Sequence, residues 1–245
     1  MRTIVVGASA GLGRAIASQL AGLGHRLVLV ASTAQDLERV AADLRLRHGA
    51  EIHVIAADLN GQDIEALAVH AKLLLGGVDN LFLIAGFSDL EHDRGYLPDQ
   101  TVQRLLAVNF TAHVRLANAL LPSLETGKGS IVVAGSVAAA RGRRANMVYG
   151  AAKRGLEAYA DSLRHYLAGK GSACTVQTYR LGFLKTRMTF GQKLPFPAME
   201  PEIAAKAIVE NMGRDLGMAY LPCWWRLIMT VICLLPWPIF RRLNI

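Results

Sequence analysis

Short runs of apolar, often β-branched residues recur along the chain, and longer stretches with helical spacing follow most of them. Residues 3–6 (TIVV) and 26–31 (RLVLVA) are nearly continuous in hydrophobicity, as strands buried on both faces are. Residues 51–56, 81–85, 130–134 and 174–181 continue the series. Between them, apolar positions three and four apart predict a helix through Arg14, Ile16, Ala17 and Leu20 that Gly24 ends, and a second over 35–48. A third spans 101–121 and is closed by Pro122 and Gly127; a fourth runs past Lys153 towards Leu167; a fifth covers 202–212, before a short apolar run at 219–221. Strand alternating with helix predicts an α/β chain, a Rossmann-like doubly wound parallel sheet in a single domain.

Composition adds a question about surfaces. The 245 residues are 52% hydrophobic and only 19% charged, which suits a large core or an apolar surface. The net charge of +8 is uneven: residues 1–140 hold 11 Lys and Arg against 13 Asp and Glu, and residues 141–245 hold 16 against 6. A basic half fits an anionic membrane surface or a phosphorylated substrate. Nucleic acid is disfavoured, because the cations are dispersed among apolar runs. Cys174, Cys223 and Cys233 make no disulfide framework, and the seven histidines have no ligand spacing, so no metal is expected. With no signal-like segment before the first strand, a cytoplasmic location is expected.

Candidate chemistry lies at the ends of the predicted strands, where ligands of such sheets bind. Gly7, Gly11 and Gly13, with Ser9 and Leu12 between them, form a turn that lets a backbone approach a pyrophosphate at a helix start. Ser32 and Thr33 end the second strand, so neither an acid nor a base there chooses between NAD and NADP. Asp58, followed by Leu59, either bonds an adenine amine or caps the next helix. Ala85 and Gly86 follow the fourth strand, and Gly182 to Thr186 the sixth. Asn109 in mid-helix faces solvent or has a buried polar task. Ser136 follows the fifth strand. Tyr149 and Lys153, four apart, share a helix face, where an ammonium would lower the phenol's pKa and make it a proton donor or acceptor. Ser136 is no hydrolase nucleophile, since Ala-Gly-Ser-Val-Ala is not Gly-x-Ser-x-Gly.

Together these residues resemble a classical short-chain dehydrogenase/reductase, over residues 3 to about 221. The resemblance implies hydride exchange between NAD(P)H and a carbonyl carbon. Asn109, Ser136, Tyr149 and Lys153 would be the catalytic tetrad, with Asn109 fixing a water. Gly7, Ser9, Gly11, Leu12, Gly13, Ser32, Asp58, Leu59, Ala85, Gly86, Gly182 and Thr186 would bind the cofactor with Tyr149 and Lys153, Thr186 holding the nicotinamide amide. Ile84-Ala85-Gly86 and Leu181-Gly182 depart from the family's usual Asn-Ala-Gly and Pro-Gly.

Arg141, Arg143 and Arg144, with Lys185 just before and Arg187 and Lys193 within a Pro- and Gly-containing stretch (187–198) of lid-like composition, flank the expected substrate mouth. They suggest an anionic substrate group, or else a solvated surface. Asp89, Glu91 and Asp93 predict an exposed acidic loop. Residues 224–245 form a hydrophobic helical extension of the catalytic unit 1–223. Residues 227–240 carry no charge and two prolines, beside Trp224, Trp225, Arg241 and Arg242, as an interfacial membrane helix would; packing on the core or on another subunit is the alternative. RRANMVYGAAKRGLEAY, LKTRM and PWPIFRRLNI are similar to the branch of the family that includes decaprenylphosphoryl-2-keto-pentose reductase. That branch implies NADH, a polyprenyl-phosphate-linked keto-pentose reduced to its arabinose epimer, a flavin-dependent oxidase acting before it, and peripheral attachment to the cytoplasmic membrane. Homo-oligomerisation stays open. The competing readings are a soluble reductase of acyl-thioester or steroid-like ketones and a non-catalytic nucleotide-binding scaffold.

Overall fold

Each of the six expected strands forms, and the run near residue 220 supplies a seventh. The structure, a computed structural model, describes residues 1–61, 63–88, 95–192 and 194–243. Strands β1 (Arg2–Val6), β2 (Arg26–Ala31), β3 (Ile52–Ala56), β4 (Asn80–Leu83), β5 (Ser130–Ser136), β6 (Thr175–Leu181) and β7 (Gly217–Leu221) make one parallel sheet in the order β3-β2-β1-β4-β5-β6-β7. Alternation along the strands feeds two cores. Ile4, Val28, Leu81, Ile131 and Val133 face α3 (Ile64–Leu75), α5 (Ala112–Leu124) and α6 (Met147–Gly169). Val5, Leu27, Leu29, Phe82 and Val132 face α1 (Gly11–Gly22), α2 (Ala34–His48) and α7 (Pro201–Glu210). Because β1 pairs with β2 on one side and β4 on the other, the chain reverses its winding there. The crevice beyond the C-terminal ends of β1 and β4 is where such a sheet takes a ligand.

Three local expectations change. The helix predicted over 101–121 is α4 (Asp99–Leu106), a π-helical turn (Ala107–Thr111) and α5. Pro122 does not close α5, which runs to Leu124: Glu125 N still bonds Leu121 O at 2.9 Å, so the ring costs one bond late in the helix without ending it. Asp58 is not the cap of α3; Asp63 is, accepting from Glu65 N and Ala66 N. The acidic residues Asp89, Glu91 and Asp93 lie outside the described residues, as does Lys193.

The C-terminal extension is two helices, α8 (Trp225–Leu234) and α9 (Trp237–Phe240), divided at Leu235-Pro236. Trp225 and Met229 are buried against Val137, Phe183 and Phe196, whereas Leu227, Val231, Leu234, Trp237 and Ile239 are exposed. Among the described residues no helix is long and apolar enough to cross a membrane.

Candidate active site

A cavity of about 480 Å³ opens over the C-terminal strand ends. Its floor is the glycine turn. Gly7 has φ +91°, and a Cβ there would lie 2.6 Å from Ala85 N, so the turn after β1 presses on the chain leaving β4. A Cβ on Gly13 would run into Gly7 O. The α1 N-terminus receives no side-chain cap, leaving its first N–H groups for an anion. These features fit the pyrophosphate of a dinucleotide. Ser9, Leu12, Ser32, Asp58, Leu59 and Gly86 line the same cavity. Gly182 and Thr186 reach it from the end of β6, with Thr186 Cγ2 against Gly11. Every residue expected to bind the cofactor therefore borders one space.

Ser136 ends β5 and its Oγ accepts from Ala138 N at 3.1 Å. Tyr149 and Lys153 project from the first turns of α6 into the cavity with it. The Tyr149 phenol is not lowered towards neutrality, as the sequence suggested. Burial raises it, the Ser136 hydroxyl acts in the opposite direction, and the Glu157 charge adds to the rise. Lys153 Nζ instead donates to Ala134 O at 2.9 Å, and burial brings its own pKa down to about 8.

Asn109 is buried in the π turn and does not line the cavity. Its Nδ2 donates to Phe87 O at 2.7 Å and Leu105 O at 2.9 Å, and its Oδ1 accepts from Phe87 N at 3.1 Å. The amide thus ties the loop after β4 to the helix, close behind Gly86, where a Cβ would be 3.2 Å from Asn109 Oδ1 and 3.7 Å from Lys153 Nζ.

The basic residues divide. Arg143 and Arg187 line the cavity. Arg143 is half-buried, and burial holds its guanidinium below the usual range, with Tyr149 opposing. Arg141 and Arg144 do not line it. They turn to the backbone of the C-terminal extension: Arg141 donates to Leu235 O at 2.7 Å and lies 3.8 Å over the Phe240 ring, and Arg144 donates to Leu243 O at 2.9 Å. Helix ends expose carbonyls that cations satisfy, which explains the diversion. Lys185 is exposed and paired with Glu200 at 2.5 Å. Arg187 also meets Asp36, at 3.2 Å.

Sequence reasoning passed over three groups near the site. Glu157, one turn beyond Lys153, is buried beside Ser136. His113 is fully buried and contacts Ala85 O at 2.9 Å. Asn146 starts α6 in the left-handed conformation (φ 57°) and lines the cavity. An Asn immediately before the Tyr149 helix was the available signal, since Asn tolerates that conformation.

The model of the family described as short chain dehydrogenase matches residues 2–194. An uncharacterised oxidoreductase of Streptomyces coelicolor is 31% identical over 99% of this chain and 95% of its own. A hydroxysteroid 11-beta-dehydrogenase 1-like protein of Xenopus laevis is 29% identical over 91% of this chain and 78% of its own. Among solved structures, a short-chain dehydrogenase from Sphingobium yanoikuyae in complex with NADPH superposes with a TM-score of 0.81 at 26% identity, covering 94% of this chain and 92% of that one. Fold, glycine cradle and sequence similarity agree, and the chain belongs to the short-chain dehydrogenases, as an NAD(P)-dependent oxidoreductase.

Proposed function

We propose that this enzyme reduces a ketone to a secondary alcohol, with Tyr149 as proton donor. The observation that carries this is the meeting of Ser136, Tyr149 and Lys153 beside the glycine cradle in one cavity. A nicotinamide held in this cradle would supply the hydride. A phenol held above its ordinary pKa remains protonated at neutral pH, which is the form needed to give a proton to the developing alkoxide. The Ser136 hydroxyl orients that oxygen. The Lys153 ammonium, fixed by Ala134 O, supplies positive charge where negative charge develops. Asn109 holds the Phe87 loop and, in the tetrad reading, a relay water.

For the substrate we infer a lipid-linked, phosphorylated ketone, the polyprenyl-phosphate-linked 2-keto-pentose of the sequence resemblance, with NADH as reductant and a flavin-dependent oxidase supplying the ketone. Arg143 and Arg187 in the cavity support an anionic group. The exposed Leu227, Val231, Leu234 and Trp237, with Arg226, Arg241 and Arg242 nearby, support residues 224–245 as a tail on an anionic membrane, beside the catalytic unit 1–223. The second reading is a lipophilic ketone without phosphate. It draws on the name of the Xenopus relative and on the apolar Phe87, Val137 and Phe183 in the cavity wall.

The test is NADH and NADPH oxidation by detergent-solubilised protein offered prenylphosphoryl keto-pentose, acyl-thioester ketones and steroid ketones. Tyr149→Phe is expected to retain cofactor binding and lose most turnover. Turnover at the parent rate in that variant would refute the proton-donor role. Flotation with anionic but not neutral vesicles checks the tail.

A further inference from the structure

Glu157 lies four residues beyond Lys153 and eight beyond Tyr149, on the same face of α6, and is 3% exposed. A carboxylate this deep is rare unless it is paired. Its two oxygens are held by different partners, one by a backbone N–H and one by a guanidinium. Oε1 accepts from Ser136 N at 3.2 Å. Oε2 accepts from Arg180 Nε at 2.9 Å, and Arg180 Nη2 lies 2.8 Å from the same oxygen. Arg180 Nη1 donates to the Tyr220 hydroxyl at 2.7 Å.

The sheet register makes room for this. Gly135 of β5 pairs with Arg180 of β6, which pairs with Tyr220 of β7, so the three form one row across the sheet beneath α6. A Cβ at Gly135 would collide with Glu157 Oε1. Gly135 therefore admits the carboxylate, and the next residue along β5, Ser136, gives it a backbone N–H.

We propose that Glu157 is a positioning residue of the active site: its carboxylate fixes the Ser136 peptide, and its ion pair with Arg180 sets the charge beneath Tyr149 and Lys153. The charged and titratable groups around it are Tyr149 and Lys153 on α6, Arg180 on β6 and Tyr220 on β7. His113 of α5 faces Lys153, and Arg143 faces Tyr149. The Glu157 charge raises Tyr149 and partly offsets the burial that lowers Lys153. Burial also raises Glu157 itself, opposed by Arg180. The inference rests on Tyr149 and Ser136 being the working groups, but its test needs no turnover.

Glu157→Gln keeps shape and an acceptor for Ser136 N while removing the charge. Tyr149 ionisation is read as the ultraviolet tyrosinate difference between each protein and its own Tyr149→Phe version. We expect Glu157→Gln to move that ionisation to lower pH by about one unit, as loss of a neighbouring anion does. Glu157→Gln with Arg180→Gln removes both buried charges, guards against misfolding of the single variant, and should move it by less. In the turnover assay kcat should fall more than KM rises. An unchanged Tyr149 titration in both variants, with only a lower melting temperature, would overturn the proposal. Full activity in Tyr149→Phe would instead overturn the proton-donor reading and leave this titration standing.

Discussion

Arg141, five residues past Ser136, donates to the carbonyl of Leu235 at 2.7 Å, so the loop joining the site's serine to its tyrosine helix also closes the end of α8. The same guanidinium lies 3.8 Å above the Phe240 ring. The loop between Ser136 and α6 and the C-terminal extension are thereby tied together.

Arg141→Ala should loosen that tie. Charge-assisted bonds to orphan carbonyls contribute about 1.5–3 kcal/mol each at most, and a cation–π contact at an exposed site about 0.5–1 kcal/mol. We expect faster amide hydrogen exchange in residues 231–243 and a lower melting temperature, with cofactor affinity retained. Unchanged exchange in that segment would show that the tie has no energetic weight.

Gly13→Ala should abolish the cofactor cradle without unfolding the sheet. The added methyl meets Gly7 O, a backbone atom that moves only if the turn opens. An affinity loss of tenfold or more, equal to about 1.4 kcal/mol, is expected in fluorescence titration with NADH and NADPH. Parent-like binding would mean that the turn relaxes freely.

His113 predicts an acid sensitivity. Burial holds its pKa down to about 3, against about 6.5 when unfolded, so between these values the unfolded chain binds a proton that the folded one does not. Stability should fall as pH drops from about 6.5 towards 3. His113→Gln, which still has a donor for Ala85 O, should lose less over that window in denaturant titrations. Parallel curves would count against the burial argument.

Lys153 works at the alkaline end. Its folded pKa of about 8 lies below the unfolded value near 10.4, so its contribution to stability improves as pH rises from about 8 to 10. Lys153→Met should unfold with a shallower pH dependence across that range. An identical slope would refute the buried-ammonium account.

Most of the sheet was legible because β1, β2, β4 and β5 are buried on both faces, and such strands read as nearly continuous apolar runs. Gly7, Ser136 and Thr186 could be brought together on paper because strand ends of a parallel sheet share one edge. The fates of Arg141, Arg144 and Lys185 were not legible, since a cation's partner here is a helix-end carbonyl or a carboxylate distant in sequence. Glu157 was missed for a similar reason: its meaning depends on the register that sets Gly135 beside Arg180. The phenol's raised pKa follows from depth in the fold, which a four-residue spacing cannot express.

The wide turn at Ala107–Thr111 has a consequence for insertions and deletions. It accommodates an extra residue, so removing one residue from it would let α4 run into α5 as a regular helix. The faces of α4 and α5 would stay in phase, because the turn absorbs the extra residue locally, but the widened segment that seats Asn109 would be gone. Asn109 would lose the position from which it bonds Leu105 O, and the Phe87 loop would lose its anchor. This short segment should tolerate substitution at its exposed Thr111 yet reject any change of length, a pattern that a library of single-residue deletions would reveal directly.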